Sequence, residues 1–277
     1  MLISIVAALA VLSSLLICYA AGGYETLAWL WQVPVGFIGS FLVLALIAFL
    51  IFFVSCSVVD QSKPQEKDSP YYRFLTKLYC PAVFPLLLAR VQTSGLEKLP
   101  KDGRFLLVCN HLNNLDPVLL LAKLPQAQLA FISKQENSTM FLIGNLMHKI
   151  QCQLLNREND REALKTILSC ISIIKEDRAS VCVFPEGYTS KDGLLHHFRN
   201  GVFKIAQKAR VPIVVCTVQG TNQVFKNVVK GKRSHVRLNL VGVIPAEELA
   251  GVNTSVIGDR VFQMMAQDLG PDKVAEE

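Results

Sequence analysis

Residues 1–59 contain no Lys, no Arg and a single acid, Glu25. That vacancy constrains the fold more than any other feature, because a soluble domain of this length needs charged side chains over its surface. Two runs within it, residues 1–21 and 35–56, are uncharged and mostly apolar. As helices rising about 1.5 Å per residue, each is roughly 30 Å long, the thickness of a bilayer's hydrocarbon core. Residues 60–277 hold all 28 Lys and Arg and 21 of the 22 acids, a net charge of +7. Only 18% of the whole chain is charged, against about 25% in an average globular protein. A wholly soluble chain and an intrinsically disordered one are both excluded.

Between the two runs, residues 22–34 combine a Gly pair with Tyr24, Trp29, Trp31 and Pro34. Amphipathic aromatics favour headgroup depth, so this stretch reads as the turn of a transmembrane helical hairpin spanning 1–59. A cleavable signal peptide competes for the first run, since Cys18-Tyr19-Ala20 ends in small residues, but the positive n-region is missing. Cytoplasmic flanks collect Lys and Arg. The connector has none, whereas Lys63, Lys67, Arg73 and Lys77 follow the second run. The expectation is a multi-pass protein of the cell membrane, with both chain ends and the later domain on the cytoplasmic side. Eight Cys are scattered without a C-x-x-C pair, so neither a zinc site nor a disulfide framework is expected.

Residues 61–70 are polar and proline-flanked, a linker. In the stretch after them, Tyr71, Leu75, Leu78 and Tyr79 recur at helical spacing while Arg73 and Lys77 fall off that face. This is either an interfacial helix with its aromatic and aliphatic side chains in lipid or an amphipathic helix packed on its own domain. Pro81 and Pro85 are expected to break it. Residues 60–92 thus form a linker and interfacial amphipathic segment, and 93–277 the domain that carries the chemistry.

From Arg104 onward, apolar runs at 105–109, 129–133, 151–155, 180–184, 212–218 and 236–243 alternate with helical patterns at 117–124, about 139–148, 160–177, 198–210 and 255–269. The alternation implies an α/β fold: a mixed, largely parallel sheet flanked by helices and preceded by the hairpin. Phosphate-loop and dinucleotide fingerprints are absent.

The run 105–109 leads into Asn110-His111-Leu112-Asn113-Asn114-Leu115-Asp116-Pro117, in which Asp-Pro starts a helix. His111 thereby falls on a loop at the carboxyl end of a strand, where open α/β sheets place their sites. Asp116 is close enough in sequence to fold back on the imidazole, fix its tautomer and leave the other ring nitrogen as a base. The plainer alternative is an Asp that only caps its helix beside a loop His. A second polar loop, Pro185-Glu186-Gly187-Tyr188-Thr189-Ser190-Lys191, follows the run 180–184. Its carboxylate suits substrate hydroxyls, and its hydroxyls and Lys191 suit a phosphate; alternatively it is an ordinary Gly turn.

Four blocks in order carry a resemblance. Asn110-His111 to Asp116 is similar to the NHxxxxD block, and Phe184-Pro185-Glu186-Gly187 to the FPEG block, of the glycerolipid acyltransferases typified by 1-acyl-glycerol-3-phosphate (lysophosphatidic acid) acyltransferase. Phe131-Ile132-Ser133-Lys134 through Gly144 to Arg157 resembles the stretch between them, and Val211 to Val215 resembles the VPIVPV block. The resemblance covers about residues 70–245. It implies that His111 is the general base for the acceptor hydroxyl and Asp116 its partner. Asn110, Glu186, Gly187, Lys134 and Arg157 fall on substrate-binding positions, the last two for phosphate. It also implies an acyl-CoA or acyl-carrier-protein donor, a lysophosphatidic acid acceptor, membrane lipids as surroundings, and no metal or other cofactor. One departure stands out: the family's Thr-Arg after the Gly is Tyr188-Thr189 here. Lys191 or Arg199 is the candidate to take over from the missing Arg, and Thr189 is a further substrate-binding position.

Cys109 shares a strand face with His111, which admits a thiol nucleophile, although a buried strand Cys is the commoner case. Lys226, Lys230, Lys232, Arg233 and Arg237 suit anionic headgroups or an acidic acyl carrier, or form a solvated turn around Gly231. Nucleic acid is excluded as a partner, for the cations lack interleaved aromatics. Competing functions are the same transfer to glycerol 3-phosphate or another lysophospholipid, a lipid hydrolase that lacks a G-x-S-x-G elbow, and a non-catalytic membrane scaffold.

Overall fold

The computed structural model describes residues 1–156 and 160–275. The chain forms two units, Met1–Asp60 and Gln61–Glu277.

In the first unit α1 (Leu2–Ala20) and α2 (Trp29–Ser57) are both long and apolar enough to cross a membrane. Val6, Ala10, Ser14 and Cys18 are buried at four-residue spacing. These side chains are mostly small, which lets the helices approach: a Cβ added at Gly36 would stand 3.3 Å from the Ser14 Cβ. The connector is shorter than the sequence implies. α2 starts at Trp29, so Trp31 and Pro34 lie inside it. Pro34 is near enough to the helix start that its missing N–H leaves one early carbonyl without an intrahelical partner.

The second unit opens with α3 (Pro70–Leu86), which continues through Pro81 and Pro85 instead of breaking there. Burial of Tyr72, Leu75, Thr76, Cys80, Ala82 and Phe84 offsets the lost ladder bonds. Arg73 is turned inward. Its guanidinium holds Asp68 and donates to the carbonyls of Leu129 and Ile150 at 2.7 and 3.0 Å. The next element, β1 (Ala89–Ser94), straddles the boundary at 92/93 that the sequence reading draws between the interfacial amphipathic segment and the later domain.

There follow β2 (Leu106–Cys109), α4 (Leu115–Lys123), β3 (Leu129–Lys134), α5 (Ile143–Lys149), β4 (Gln153–Leu155), α6 (Asp160–Lys175), β5 (Ser180–Val183), α7 (Lys204–Ala209), β6 (Ile213–Gln219), α8 (Val224–Val229), β7 (Ser234–Ile244) and α9 (Thr254–Leu269). The strands form one mixed sheet in the order β1-β7-β6-β2-β5-β3-β4. Among the described residues only β6 and β7 pair antiparallel. The α/β architecture agrees with the alternation in the sequence.

β2 and β5 are buried on both faces, as a parallel sheet covered by helices requires. Leu106, Val108, Val181, Val183, Ile213 and Val215 share one core with Ile173 and Ile174 of α6, Ile205 of α7 and Val261 and Met265 of α9. The intervening Leu107, Cys109, Cys182, Val214 and Cys216 are buried on the opposite face. The cysteines of both units are free thiols, most of them buried.

Candidate active site

β2, β3, β5 and β6 run parallel, so the chain following each of them emerges on one edge of the sheet. β2 lies between β5 and β6, and the segment after it carries His111. The crevice outside such carboxyl ends is where a doubly wound sheet leaves room for a ligand.

Asp116 sits in the first turn of α4 and is 0% exposed. It is not the N-cap. Its Oδ2 instead accepts from the backbone N–H of Leu112 and Asn113 at 2.7 and 2.8 Å and lies 2.9 Å from His111 Nδ1. Oδ1 accepts from the Thr221 hydroxyl at 2.5 Å. A carboxylate only accepts, so Nδ1 of His111 bears a proton, and in the neutral ring it is Nε2 that carries the lone pair. Nε2 has no hydrogen-bond partner among the described residues, and the side chain keeps 15% of its exposure.

His111 is fixed from several directions. Its ring stacks on Phe184 with centroids 4.1 Å apart and planes 20° apart. Its N–H donates to Glu186 Oε1 at 2.8 Å, and its carbonyl accepts from Ser190 N–H at 2.8 Å. The backbone of His111 is thereby tied to the β5 loop, while the stack on Phe184 and the bond to Asp116 hold its ring.

Glu186 is 1% exposed. Its second oxygen accepts from His196 N–H at 3.1 Å, so the carboxylate clamps both loops. Burial pushes its carboxyl up to about 7, against the pull of the two N–H donors and the His196 side chain, with the charge of Asp116 adding to the rise. Cys109 is also buried, and burial raises its thiol well above the usual range, helped by Cys216 and Cys182. A thiol held neutral in the sheet is no nucleophile.

An acyltransferase family model matches residues 90–219, the stretch from β1 to the end of β6. A 1-acyl-sn-glycerol-3-phosphate acyltransferase of Salmonella typhimurium is 32% identical over 196 residues, covering 69% of this chain and 76% of that protein. The chain belongs to the 1-acyl-sn-glycerol-3-phosphate acyltransferase family. A chloroplastic member from Brassica napus is 32% identical over 201 residues, 72% of this chain. The match covers 56% of that protein, so the chain spans about half the length of this plant relative. The fold is shared with the crystal structure of the 1-acyl-sn-glycerophosphate (LPA) acyltransferase of Thermotoga maritima, at a TM-score of 0.62 and 22% identity over 82% of this chain and 89% of that one.

The remaining family positions are distributed unevenly. Asn110, expected to bind substrate, is buried with both ends of its amide taken: Nδ2 donates to Val218 O at 3.0 Å and Oδ1 accepts from Val218 N–H at 2.7 Å. It locks the start of the His111 loop to β6. Glu186 likewise faces inward. Gly187 has φ +80, and a Cβ there would meet Cδ and Nε of Arg199 at 2.9 Å. Arg199 therefore lies over the Gly187 turn, its N–H bonded to Pro185 O at 2.8 Å. Lys191 is exposed and Thr189 half-buried on the same loop, and Lys134 is exposed at the end of β3. Arg157 lies outside the described residues.

Several contributors escaped the sequence reading. Phe184, at the end of the run 180–184, and Ser190, on the loop after it, are visible in the sequence but not as contacts of His111. Thr221 was missed altogether, although it follows β6 directly and the carboxyl-end rule that singles out His111 points there too. Asp192 is a third case: it joins Ser190 Oγ and His196 Nε2 at 2.7 and 3.0 Å, and the Leu194 N–H, followed by the His196 and Ser190 side chains, holds its carboxyl well below the ordinary range.

Proposed function

We propose that this chain transfers a fatty acyl group from an acyl thioester to the free hydroxyl of 1-acyl-glycerol 3-phosphate, giving phosphatidic acid in phospholipid biosynthesis. The observation that carries the reading is the His111 Nδ1–Asp116 bond, with Nε2 left as an available base. Nε2 removes the hydroxyl proton as the oxygen attacks the thioester carbonyl. Collapse of the tetrahedral adduct expels the thiolate, which takes that proton back from the imidazolium. An alcohol has a pKa far above 7, and a positioned His contributes about 10²- to 10⁴-fold. Asp116 stabilises the transient imidazolium and holds the productive tautomer.

Arg199 supports a phosphate-bearing acceptor. The Arg that family members carry after the Gly is absent, yet the Arg199 side chain covers Gly187 from the next part of the loop. Lys134, Lys191 and Arg157 are the further cations assigned to this phosphate. The donor is acyl-CoA or acyl-carrier protein, and no metal enters the chemistry. The two apolar helices support a multi-pass chain in the cell membrane, and the positive-inside rule supports a cytoplasmic catalytic domain.

The Tyr188-Thr189 departure favours a second reading, the same transfer to glycerol 3-phosphate or another lysophospholipid. Purified full-length protein given labelled acyl-CoA or acyl-carrier protein and a panel of acceptors decides between them. Phosphatidic acid as the main product, lost in His111→Ala, is expected. Free fatty acid alone indicates a hydrolase, and no product with any acceptor indicates a scaffold.

A further inference from the structure

β6 and β7 pair antiparallel, so the connection between them lies on the sheet edge that bears His111. That connection begins with Thr221, bonded to Asp116, and continues into α8. Val224 is the helix's one buried residue, and the outward face has two flanks. Phe225 and Val229, one turn apart, are 48% and 87% exposed. Lys226 and Lys230 stand beside them, about 100° around the helix, and Lys232 and Arg233 extend the charge past Gly231. All four cations are exposed, and none pairs with a carboxylate among the described residues.

A solvated turn accounts for the cations but not for two large apolar side chains held in water beside them. An anionic bilayer meets both halves at once, headgroups taking the ammonium groups and hydrocarbon taking Phe225 and Val229. An acidic acyl carrier also suits the cations. The other end of the same edge argues for lipid: the chain leaving β3 exposes Met140, Phe141 and Ile143. In the order β7-β6-β2-β5-β3 these two apolar groups fall on either side of the His111 loop.

We propose that α8 and the turn after it form an anionic-lipid docking foot, which seats the edge carrying His111 on the membrane. The proposal rests on the acyltransferase reading in that the lipid acceptor arrives from that surface. It is separable by experiment.

The full chain carrying Val229→Trp is reconstituted in nanodiscs with brominated phosphatidylglycerol or brominated phosphatidylcholine, and its quenching is compared with that of the parent, whose Trp29 and Trp31 set the background. Extra quenching is expected in the anionic discs and is abolished when Lys226→Glu and Lys230→Glu are added. The same charge reversals in the otherwise native chain slow turnover of a bilayer-embedded acceptor about tenfold or more, each cation near a membrane having an effect of that order. Turnover of a short-chain acceptor in detergent stays unchanged. No extra quenching in either lipid, or quenching indifferent to the charge reversals, overturns the proposal. So does shielding of α8 from hydrogen exchange by acyl-carrier protein in place of lipid. Absence of transfer to every acceptor in detergent defeats the functional reading instead and leaves the quenching result standing.

Discussion

The Thr221 hydroxyl donates a 2.5 Å hydrogen bond to Oδ1 of Asp116 across 105 residues of sequence. Both groups are buried, so this bond ties the loop after β6 to the proton acceptor of His111. Thr221→Val keeps the shape and removes the donor, leaving a buried carboxylate oxygen unsatisfied at a cost of about 1–3 kcal/mol. The expected result is a drop of roughly tenfold in kcat with KM little changed, recovered by Thr221→Ser. Equal loss in the Ser and Val variants would show that packing, not the hydrogen bond, matters.

Asp116→Asn separates charge from geometry. Its carboxamide oxygen is able to face the Leu112 and Asn113 N–H groups, with the amide nitrogen donating to the Thr221 hydroxyl. The fold should survive, with a thermal midpoint within a few degrees of the parent. The imidazolium formed during transfer then lacks its counter-charge, and kcat falls about 10²-fold or more, comparable with His111→Ala. Steady-state kinetics beside a melting curve check this, and an Asn variant near parental rate would remove Asp116 from the proton path.

Local patterns in the sequence carried the central sheet and the His111–Asp116 contact, because the interactions that define them are local. β2, β5 and β6 read as apolar runs since both their faces are buried, and His111 meets Asp116 only five residues away. β1 was illegible. Its residues Ala89–Ser94 form a partly polar edge strand whose definition comes from β7, as in the 2.7 Å bond from Ser94 to Asn239. The proline-rich end of α3 misled for a related reason, for the side chains that stabilise the helix there pack on distant parts of the domain. Asn110 and Glu186 had the right residue types for ligand contacts, and only the folded chain shows their polar atoms turned to main-chain groups of Val218 in β6 and of His111 and His196.

Glu186 gives a pH dependence with a definite sign. Its carboxyl stands at about 7 in the folded chain against an ordinary 4.5. Between those values the folded chain holds a proton that the unfolded chain has released, so stability is present below pH 4.5 and is lost as pH rises through 7. The loss amounts to about 3 kcal/mol. In Glu186→Gln the amide offers one acceptor to two N–H donors, which costs about 1–3 kcal/mol at pH 5. The variant's deficit should shrink by pH 8, because its own stability lacks the Glu186 slope. Unfolding in detergent at the two pH values measures this, and parallel pH slopes for the two proteins would contradict it.

Arg199 lies over Gly187, so its guanidinium is positioned by the backbone of the FPEG turn. If it holds the acceptor's phosphate, Arg199→Ala removes a charge-assisted pair and raises the acceptor KM about tenfold or more, leaving KM for the acyl donor unchanged. Arg199→Lys keeps the charge but not the two-pronged geometry and should fall between. Gly187→Ala acts on the same contact from beneath, since its Cβ would collide with Cδ and Nε of Arg199 at a φ of +80 that also disfavours a side chain. Its acceptor KM should rise with that of Arg199→Ala, and the double variant should be no worse than the sum of the two in free energy. Measured with a phosphate-free acceptor as control, an Arg199→Ala effect of equal size on both acceptors would assign the residue to loop structure instead of phosphate.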